Sequence, residues 1–243
     1  MQNNQIHPND DMFTGNLTHY LSVGKQFADL IVATAKLKSG TKAKVLELPC
    51  GYGRVTRHLV AALSERQITC ADIMKPAVSF CKEQYGVDVI LVEEPAEQFQ
   101  NVPNEAYDVA AMGSLITHFA EPLATSVIKN FVKKVKRGGH VVLTLHGERA
   151  YRLMMNDSWF GIPKDEREVL RRSYESGQFG FVPYWSDHAF EKKTVDYVGS
   201  SYGVSLTPKL WATDLLKELG CNILEYRSGG WDDHQDIVIA EVQ

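Results

Sequence analysis

The chain has 243 residues, of which 44% are apolar and 23% are charged, a balance that indicates a folded globular protein and excludes disordered or collagen-like sequence. Lys and Arg total 26 against 30 Asp and Glu, giving a net charge of −4 that disfavours binding to a nucleic-acid backbone. No apolar run approaches the ~18 residues that cross a bilayer, and residues 1–11 carry no basic-then-apolar leader. We therefore expect a cytoplasmic protein that binds neither membrane nor nucleic acid.

Short β-branched runs alternate with longer amphipathic runs, which predicts an α/β fold made of βαβ units around a parallel sheet. In chain order the periodicity predicts a helix over 17–36, a strand over 44–48, a helix over 54–63, a strand over 68–72, a helix over 75–85, strands over 87–92 and 107–112, a helix over 121–136 and a strand over 140–145. The basic residues at 133–137 suit the negative end of a helix and are expected to be solvated. Gly138 and Gly139 are expected to end that helix.

The alternation breaks over residues 147–205, where a charged helix precedes a stretch rich in aromatic residues and glycine. Thr207 predicts the N-cap of a later helix with Pro208 at its first position. The remaining predicted elements are a helix over 164–175, a helix over 207–219 and strands over 222–227 and 236–242. We expect a single domain over 1–243, with an N-terminal helical region at 1–40 and an inserted cap at 147–205.

The four cysteines are widely spaced in the sequence and form no C-x-x-C pair. They are Cys50, Cys70, Cys81 and Cys221. This spacing predicts reduced thiols, with neither a disulfide framework nor a metal site.

A glycine turn follows the first predicted strand in the segment Val45-Leu-Glu-Leu-Pro-Cys-Gly-Tyr-Gly53. Two glycines let a ligand approach the backbone N–H groups at the positive end of the next helix. Asp72 ends the second strand, where an acid can accept hydrogen bonds from both hydroxyls of a ribose. Thr56 departs from the third glycine of the dinucleotide fingerprint. Glu47 would repel a pyrophosphate but attract an ammonium or sulfonium group, which favours S-adenosylmethionine over a dinucleotide.

Several segments resemble the successive motifs of class I S-adenosylmethionine-dependent methyltransferases. They are Val45–Arg54, Cys70–Ile73, Tyr107–Val109 and Val135–His140. Tyr20–Gly24, Gly113–His118 and Trp231–Asp236 resemble a bacterial branch of small-molecule methyltransferases. The resemblance implies a Rossmann-like seven-stranded sheet of order 3-2-1-4-5-7-6 with the last strand antiparallel, and S-adenosyl-L-methionine as the cofactor.

The resemblance also implies a cofactor site, with the glycines along the methionine moiety, Glu47 near its ammonium group, Asp72 on the ribose and Ile73 against the adenine. The implied set is Tyr20, Glu47, Gly51, Gly53, Asp72, Ile73, Glu94, Ala96, Gly113 and Ser114. At the adenine edge the family usually has Asp-Ala, whereas this chain has Glu93-Glu-Pro-Ala96. Ala96 matches that pattern, and Glu94 or Pro95 stands where the acid is expected.

Three histidines stand where predicted strands meet the ligand-binding edge of the sheet. His118 follows the fourth strand, His146 ends the fifth and His234 precedes the last. A neutral imidazole is a suitable base for an alcohol, phenol or amine near neutral pH. We predict that His146 and His234 converge on the acceptor, with His118 in reserve. A structural or capping role is the alternative for each, and a metal site with Asp232 or Asp233 lacks compact ligand spacing.

The aromatic residues of the insertion form either a small satellite core or a lid over the acceptor. They are Phe179, Phe181, Tyr184, Trp185, Tyr197 and Tyr202. We expect some to pack and Tyr184 or Tyr202 to face the acceptor.

The sequence therefore predicts a methyltransferase that acts on an oxygen, less readily a nitrogen, of a small-molecule or sugar-type acceptor. One alternative is an NAD(P)-dependent oxidoreductase, which Thr56 and Glu47 disfavour. Another is a catalytically inactive methyltransferase-like binding protein.

Overall fold

The computed structural model describes residues 5–39, 42–156, 161–184 and 202–243. Its helices are α1 Leu17–Ser39, α2 Thr56–Ala62, α3 Lys75–Tyr85, α4 Glu121–Val132, α5 Glu148–Asn156, α6 Lys164–Glu175 and α7 Lys209–Glu218. Its strands are β1 Val45–Glu47, β2 Ile68–Asp72, β3 Asp88–Leu91, β4 Tyr107–Met112, β5 Val135–Leu145, β6 Gly180–Pro183, β7 Gly203–Leu206, β8 Cys221–Trp231 and β9 Gln235–Val242. None of the helices in these ranges combines the length and apolarity that a bilayer crossing requires.

Seven strands form one sheet in the order β3-β2-β1-β4-β5-β9-β8. β1 is parallel to β2 and β4, and β2 is parallel to β3. β8 and β9 are neighbours joined by three residues, a connection short enough only for antiparallel strands. β6 and β7 pair separately as a two-stranded antiparallel sheet. The order expected from the resemblance is confirmed, with β8 and β9 as the sixth and seventh strands of the central sheet.

The helix predicted to reach residue 136 ends at Val132, and the next strand begins at Val135 rather than at His140. The cause is Lys134, which is only 4% exposed. Its ammonium group donates hydrogen bonds to the backbone carbonyls of Phe99 and Val102 at 2.8 and 2.9 Å, and to the side chain of Asn104 at 2.8 Å. The expectation of a wholly solvated basic helix end is therefore wrong at this residue.

The last helix also begins later than predicted. Pro208, not Thr207, is the N-cap of α7, and the first helical residue is Lys209. The Thr207 N–H instead donates to the His146 carbonyl at 2.8 Å, and its side chain is fully buried. Tertiary packing has thus replaced the local capping bond that the sequence indicated.

The chain forms two compact units. The first unit comprises residues 1–113, 130–142 and 242, and the second comprises 114–129, 143–241 and 243. In the second unit, the described part of the predicted cap has its own apolar cluster: Ala150, Met154, Ile162, Leu170, Val182, Val204 and Leu206. The expectation of one domain with an inserted cap stays a prediction.

Within the first unit, α1 packs against α2 and the turn before it. Gly24 of α1 lies so close to that turn that a Cβ atom would stand 2.1 Å from the carbonyl oxygen of Arg54. The obstacle is backbone, which cannot rotate away as a flexible side chain would. The close approach of α1 therefore requires glycine at this position.

We expect Gly24→Ala to destabilise the protein by about 1–3 kcal/mol, because overpacking costs more than the added methyl gains in helix propensity. The measurement is urea-induced unfolding followed by circular dichroism. Ser22→Ala, at an exposed position of the same helix, is the matched control and should change stability by less than about 0.5 kcal/mol. Equal stability of Gly24→Ala and the parent protein would contradict this packing.

Candidate functional site

The glycine turn of the first unit is fastened by the carboxylate of Asp72 at the end of β2. One carboxylate oxygen accepts the Gly51 N–H at 2.8 Å, and the other accepts the Met74 N–H at 3.0 Å. Burial raises the pKa of Asp72 to about 6, against the opposing effect of these backbone donors. The predicted ribose-binding acid therefore already holds the turn and the start of α3.

The two positions of the turn are glycine for different structural reasons. Both adopt positive φ, +50° at Gly51 and +78° at Gly53. A Cβ at Gly51 would meet no atom within 4 Å, whereas one at Gly53 would lie 2.5 Å from the Tyr85 ring and 3.3 Å from the Cys81 thiol. Gly51 thus borders open space that a ligand can use, and Gly53 is small because Tyr85 packs against it.

Glu47 is buried at the end of β1, with 3% of its surface exposed. The hydroxyl of Thr56 donates to its carboxyl group at 2.8 Å. Burial raises the pKa of Glu47 well above its usual range, although the Thr56 hydrogen bond acts in the opposite direction. Burial therefore favours the protonated form of this carboxyl group, whereas a cation beside it would favour the carboxylate. The hydrogen-bond partner of Glu47 is thus Thr56. The sequence distinguished this residue only because it departs from the dinucleotide fingerprint.

Tyr20 is also buried, and its hydroxyl donates to Asp10 at 2.5 Å. Burial and the neighbouring Asp10 carboxylate raise the pKa of Tyr20. The guanidinium of Arg57 lies 5.2 Å from the centre of the Tyr20 ring and donates to the Gly53 carbonyl at 3.3 Å. Arg57, which carried no sequence signal, links the predicted residue Tyr20 to the glycine turn.

The residues predicted for the adenine lie along the ends of β2 and β3. Ile73 is half-buried, and Glu94 is exposed. The Glu94 carboxylate accepts the Ala96 N–H at 3.1 Å, which places an acid on the short helix Ala96–Gln98. The adenine roles of these three residues stay predictions.

Three cysteines that are distant in sequence lie together in the first unit. The sulfur atoms of Cys50, Cys70 and Cys81 all lie within 4.8 Å of one another, and all four cysteines of the chain are free thiols. The wide spacing in sequence concealed this cluster, because its members come from the turn after β1, from β2 and from α3.

In the second unit, three residues form a closed ring of hydrogen bonds. The Ser114 N–H donates to the Thr144 hydroxyl at 2.8 Å, and that hydroxyl donates to the Gln235 carbonyl oxygen at 2.6 Å. The Gln235 amide donates to the Ser114 hydroxyl at 2.9 Å. Ser114 has a φ of +55°, and the ring holds this strained backbone in place. Gly113, which belongs to the first unit, is half-buried, and the cofactor roles of both residues stay predictions.

The structure brings the three predicted histidines together within the second unit. The ring centres of His146 and His234 are 5.1 Å apart, and those of His146 and His118 are 6.4 Å apart. His146 is 1% exposed. The sequence predicted the convergence of His146 and His234, and His118 belongs to the same cluster.

Two aromatic residues of the insertion contact His118. The Tyr184 hydroxyl lies 2.9 Å from Nδ1 of His118, and the Tyr202 ring stacks on the imidazole at 4.7 Å. The same nitrogen lies 3.2 Å from the Gly203 carbonyl. A proton on Nδ1 would satisfy the Gly203 carbonyl, which only accepts, and would leave the lone pair of the neutral ring on Nε2.

Of the other aromatic residues of the predicted lid, two pack against neighbours and two lie outside the described residues. Phe179 packs on Trp211 with ring centres 4.7 Å apart. A Cβ at Gly203 would stand 2.7 Å from the Phe181 ring. The Phe181 ring therefore packs directly on the backbone of Gly203. Trp185 and Tyr197 lie outside the described residues.

Burial holds all three histidines neutral. It lowers the pKa of His118 to about 4, with the Gly203 carbonyl acting in the opposite direction. It lowers the pKa of His146 well below its usual range, and the neighbouring His234 and His118 lower it further. The pKa of His234 is lowered by burial and by Arg149, while the carboxylates of its own turn raise it. His234 is therefore the most basic member of the cluster.

The turn that carries His234 is held by charged side chains of the second unit. Arg149 donates through Nε and Nη2 to the two carboxylate oxygens of Asp233, at 2.9 and 2.5 Å. Asp236, fully buried, accepts the N–H groups of Glu148, Arg149 and Gly229 and the hydroxyl of Tyr226, at 2.7, 3.2, 2.9 and 2.7 Å. These bonds fix the start of α5 and the β8–β9 hairpin.

Residues 45–139 match the family model described as a methyltransferase domain. The ubiquinone biosynthesis O-methyltransferase of Aliivibrio fischeri (strain MJ11) is 31% identical over 101 residues, which are 40% of this chain and 42% of that protein. This match confirms the resemblance of the sequence motifs to class I S-adenosylmethionine-dependent methyltransferases. The chain matches less than half the length of that curated relative.

Solved methyltransferases share the fold over most of the chain. Magnesium protoporphyrin IX methyltransferase from Synechocystis PCC 6803, with bound S-adenosylhomocysteine, has 12% identity and a TM-score of 0.59, covering 98% of this chain and 89% of that one. The 1,6-didemethyltoxoflavin-N1-methyltransferase of Burkholderia thailandensis, bound to 1,6-didemethyltoxoflavin and S-adenosylhomocysteine, has 12% identity and a TM-score of 0.58, covering 91% and 79%. At this identity, the likeness concerns the methyltransferase fold.

We expect the contribution of His118 to the stability of the protein to fall as the pH drops from about 7 towards 4. The pKa of His118 is about 4 in the folded protein and near 6.5 in an unfolded chain. Between these values the unfolded chain binds more protons, so the stabilising effect is complete above pH ~6.5 and is lost on acidification, by at most about 1.4 kcal/mol per pH unit for each such histidine.

The measurement is the free energy of unfolding by urea at pH 5 and at pH 7.5. His118→Asn should reduce the difference between the two pH values, whatever its effect on stability at pH 7.5. His19→Asn, at an exposed position, is the control and should leave that difference unchanged. Identical pH dependence in the parent protein and both variants would refute the neutral buried state of His118.

Proposed function

We propose that the protein transfers the methyl group of S-adenosylmethionine to a hydroxyl oxygen of a small-molecule or sugar-type acceptor. The observation that carries the choice of oxygen is the cluster of neutral histidines beside two tyrosines in the second unit. A hydroxyl must lose its proton as it is methylated, and a neutral imidazole can accept it. The match to a relative named as an O-methyltransferase supports the same acceptor atom.

The residues of the first unit suit the cofactor. The open side of Gly51 gives room for the methionine moiety. Each carboxylate oxygen of Asp72 has accepted one backbone N–H and keeps a second lone pair for a ribose hydroxyl. Glu47 supplies a carboxyl group for the ammonium. The cofactor supplies a methyl group on a positively charged sulfur, and the chain provides orientation and a water-poor site.

In the proposed reaction, His234 accepts the acceptor's hydroxyl proton while the oxygen forms a bond to the methyl carbon. The bound cofactor would supply this carbon and would retain the electron pair of its carbon–sulfur bond on sulfur. His146 orients the acceptor, and His118 is held by Tyr184 and the Gly203 carbonyl. His234 is assigned as the base because the carboxylates of Asp232 and Asp233 favour its protonated form.

Replacing the histidines tests the proposed base. We expect His234→Ala to lower kcat by about 10²- to 10⁴-fold with a small-molecule acceptor, since general-base assistance contributes a factor of this size. His146→Ala should lower kcat and raise KM, and His118→Ala should act less strongly. The measurement is transfer of labelled methyl groups from S-adenosylmethionine to pooled hydroxyl compounds.

Binding of S-adenosylhomocysteine, measured by calorimetry, is the control and should stay within a few-fold of the parent value in all three variants. Retention of activity within a few-fold in every variant would mean that proximity and desolvation suffice, and the base would be wrongly assigned. Absence of any methyl transfer despite tight cofactor binding would favour a binding protein instead. Binding of NAD in preference to S-adenosylhomocysteine would favour an oxidoreductase.

A second prediction concerns Glu47. If this carboxyl group pairs with the cofactor's ammonium group, binding favours the carboxylate over the protonated form that burial favours. We expect calorimetry with S-adenosylhomocysteine at pH 7.5, in phosphate and in Tris, to reveal release of up to one proton. Asp72, with a pKa of about 6, is already ionised at that pH. Glu47→Gln should bind more weakly and release no proton, and equal release from both proteins would exclude the pairing.

A further inference from the structure

Three thiols of the first unit lie together and take no part in the proposed methyl transfer. Cys50 lies in the turn after β1, Cys70 in β2 and Cys81 in α3. They are 5%, 0% and 0% exposed. The sulfurs of Cys50 and Cys81 are 4.0 Å apart, and all three pairs lie within 4.8 Å.

We propose that Cys50, Cys70 and Cys81 form a three-thiolate binding site for a thiophilic d¹⁰ cation, with Cu(I) as the preferred ion. Soft thiolate ligands select Cu(I) and zinc among the first-row metals. A structural zinc ion takes four ligands, whereas the group assembled among the described residues has three. The nearby carboxyl group of Glu47, 4.0 Å from the Cys70 sulfur, already accepts the Thr56 hydroxyl.

The distances suit a planar three-coordinate ion. Sulfurs placed about 2.3 Å from a central ion in a plane lie about 4.0 Å from one another. The Cys50–Cys81 pair already has this separation. The other two pairs need to close by less than about 1 Å, which side-chain rotation supplies without unfolding the strands.

Binding at this cluster exchanges protons for the metal ion. Thiolates are the form that binds a metal ion, so every thiol of the cluster that is still protonated releases its proton to solvent as Cu(I) binds. The ion offsets one of the three negative charges of the thiolates. No oxidant or reductant is consumed if the ion arrives as Cu(I).

An ion bound by the three cysteines would cross-link the turn after β1, β2 and α3. Cys50 adjoins Gly51, whose N–H is held by Asp72, and the thiol of Cys81 lies 3.5 Å from the Gly51 carbonyl. The bound ion would therefore stiffen the glycine turn against β2 and α3. Because the ion favours the folded state, it should raise the unfolding temperature.

The test is competition for Cu(I) between the reduced, metal-free protein and bicinchoninate under anaerobic conditions. We expect the parent chain to withdraw one Cu(I) per molecule. Cys50→Ser, Cys70→Ser and Cys81→Ser should each weaken the binding at least about 100-fold, as loss of a ligand costs at least as much as loss of its supporting contacts. Cys221→Ser, a buried free thiol outside the cluster, is the matched control and should bind as the parent does.

Circular dichroism and calorimetry with S-adenosylhomocysteine show whether each variant is folded, and Cys81→Ala provides a smaller, apolar replacement should a serine variant fail to fold. X-ray absorption should find three sulfurs at about 2.3 Å. Failure of the parent to withdraw Cu(I), or equal loss in Cys221→Ser, would overturn the site. Preference for Zn²⁺ over Cu(I), measured with 4-(2-pyridylazo)resorcinol, would overturn the three-coordinate assignment. Calorimetry with S-adenosylhomocysteine reports cofactor binding separately from the binding of Cu(I).

Discussion

The geometry of the first unit's candidate site depends on the carboxylate of Asp72. This one side chain holds the Gly51 N–H and the Met74 N–H, so it fixes both the turn after β1 and the start of α3. The two N–H donors also stabilise its charge, which burial alone would remove. A ligand that binds there meets a backbone already in place, and less free energy is lost in ordering the turn.

Desolvation has opposite consequences for acids and for bases, and both are visible in this protein. Burial favours the protonated form of Glu47 and the deprotonated forms of His118 and His146. It thus favours the neutral form of each of these three groups, because a buried charge is costly unless it is paired. A cation beside Glu47 would favour loss of its proton.

Local sequence patterns predicted the order of the elements, the glycine turn and Asp72, because periodicity and turn chemistry act over a few residues. The bounds of β2, α3, β4 and α6 are as predicted. The buried ammonium of Lys134 was missed, since its carbonyl partners lie some thirty residues away. The hydrogen-bonded ring of Ser114, Thr144 and Gln235 could not be predicted for the same reason. Long-range packing decides such contacts, and no short window of sequence contains them.

Asp236 stands in β9, almost ninety residues after the helix start that it holds. The direction in which α5 leaves the sheet is therefore set by the end of the chain and not by the segment that follows α5. Gly147 completes this joint, because a Cβ there would lie 2.2 Å from the Asp236 carboxylate. For protein engineering, this joint is a suitable place for an insertion. A foreign segment joined after α5 would follow a helix whose start is fixed by Asp236. Segments joined there can be exchanged while Asp236 and the β8–β9 hairpin are left unaltered.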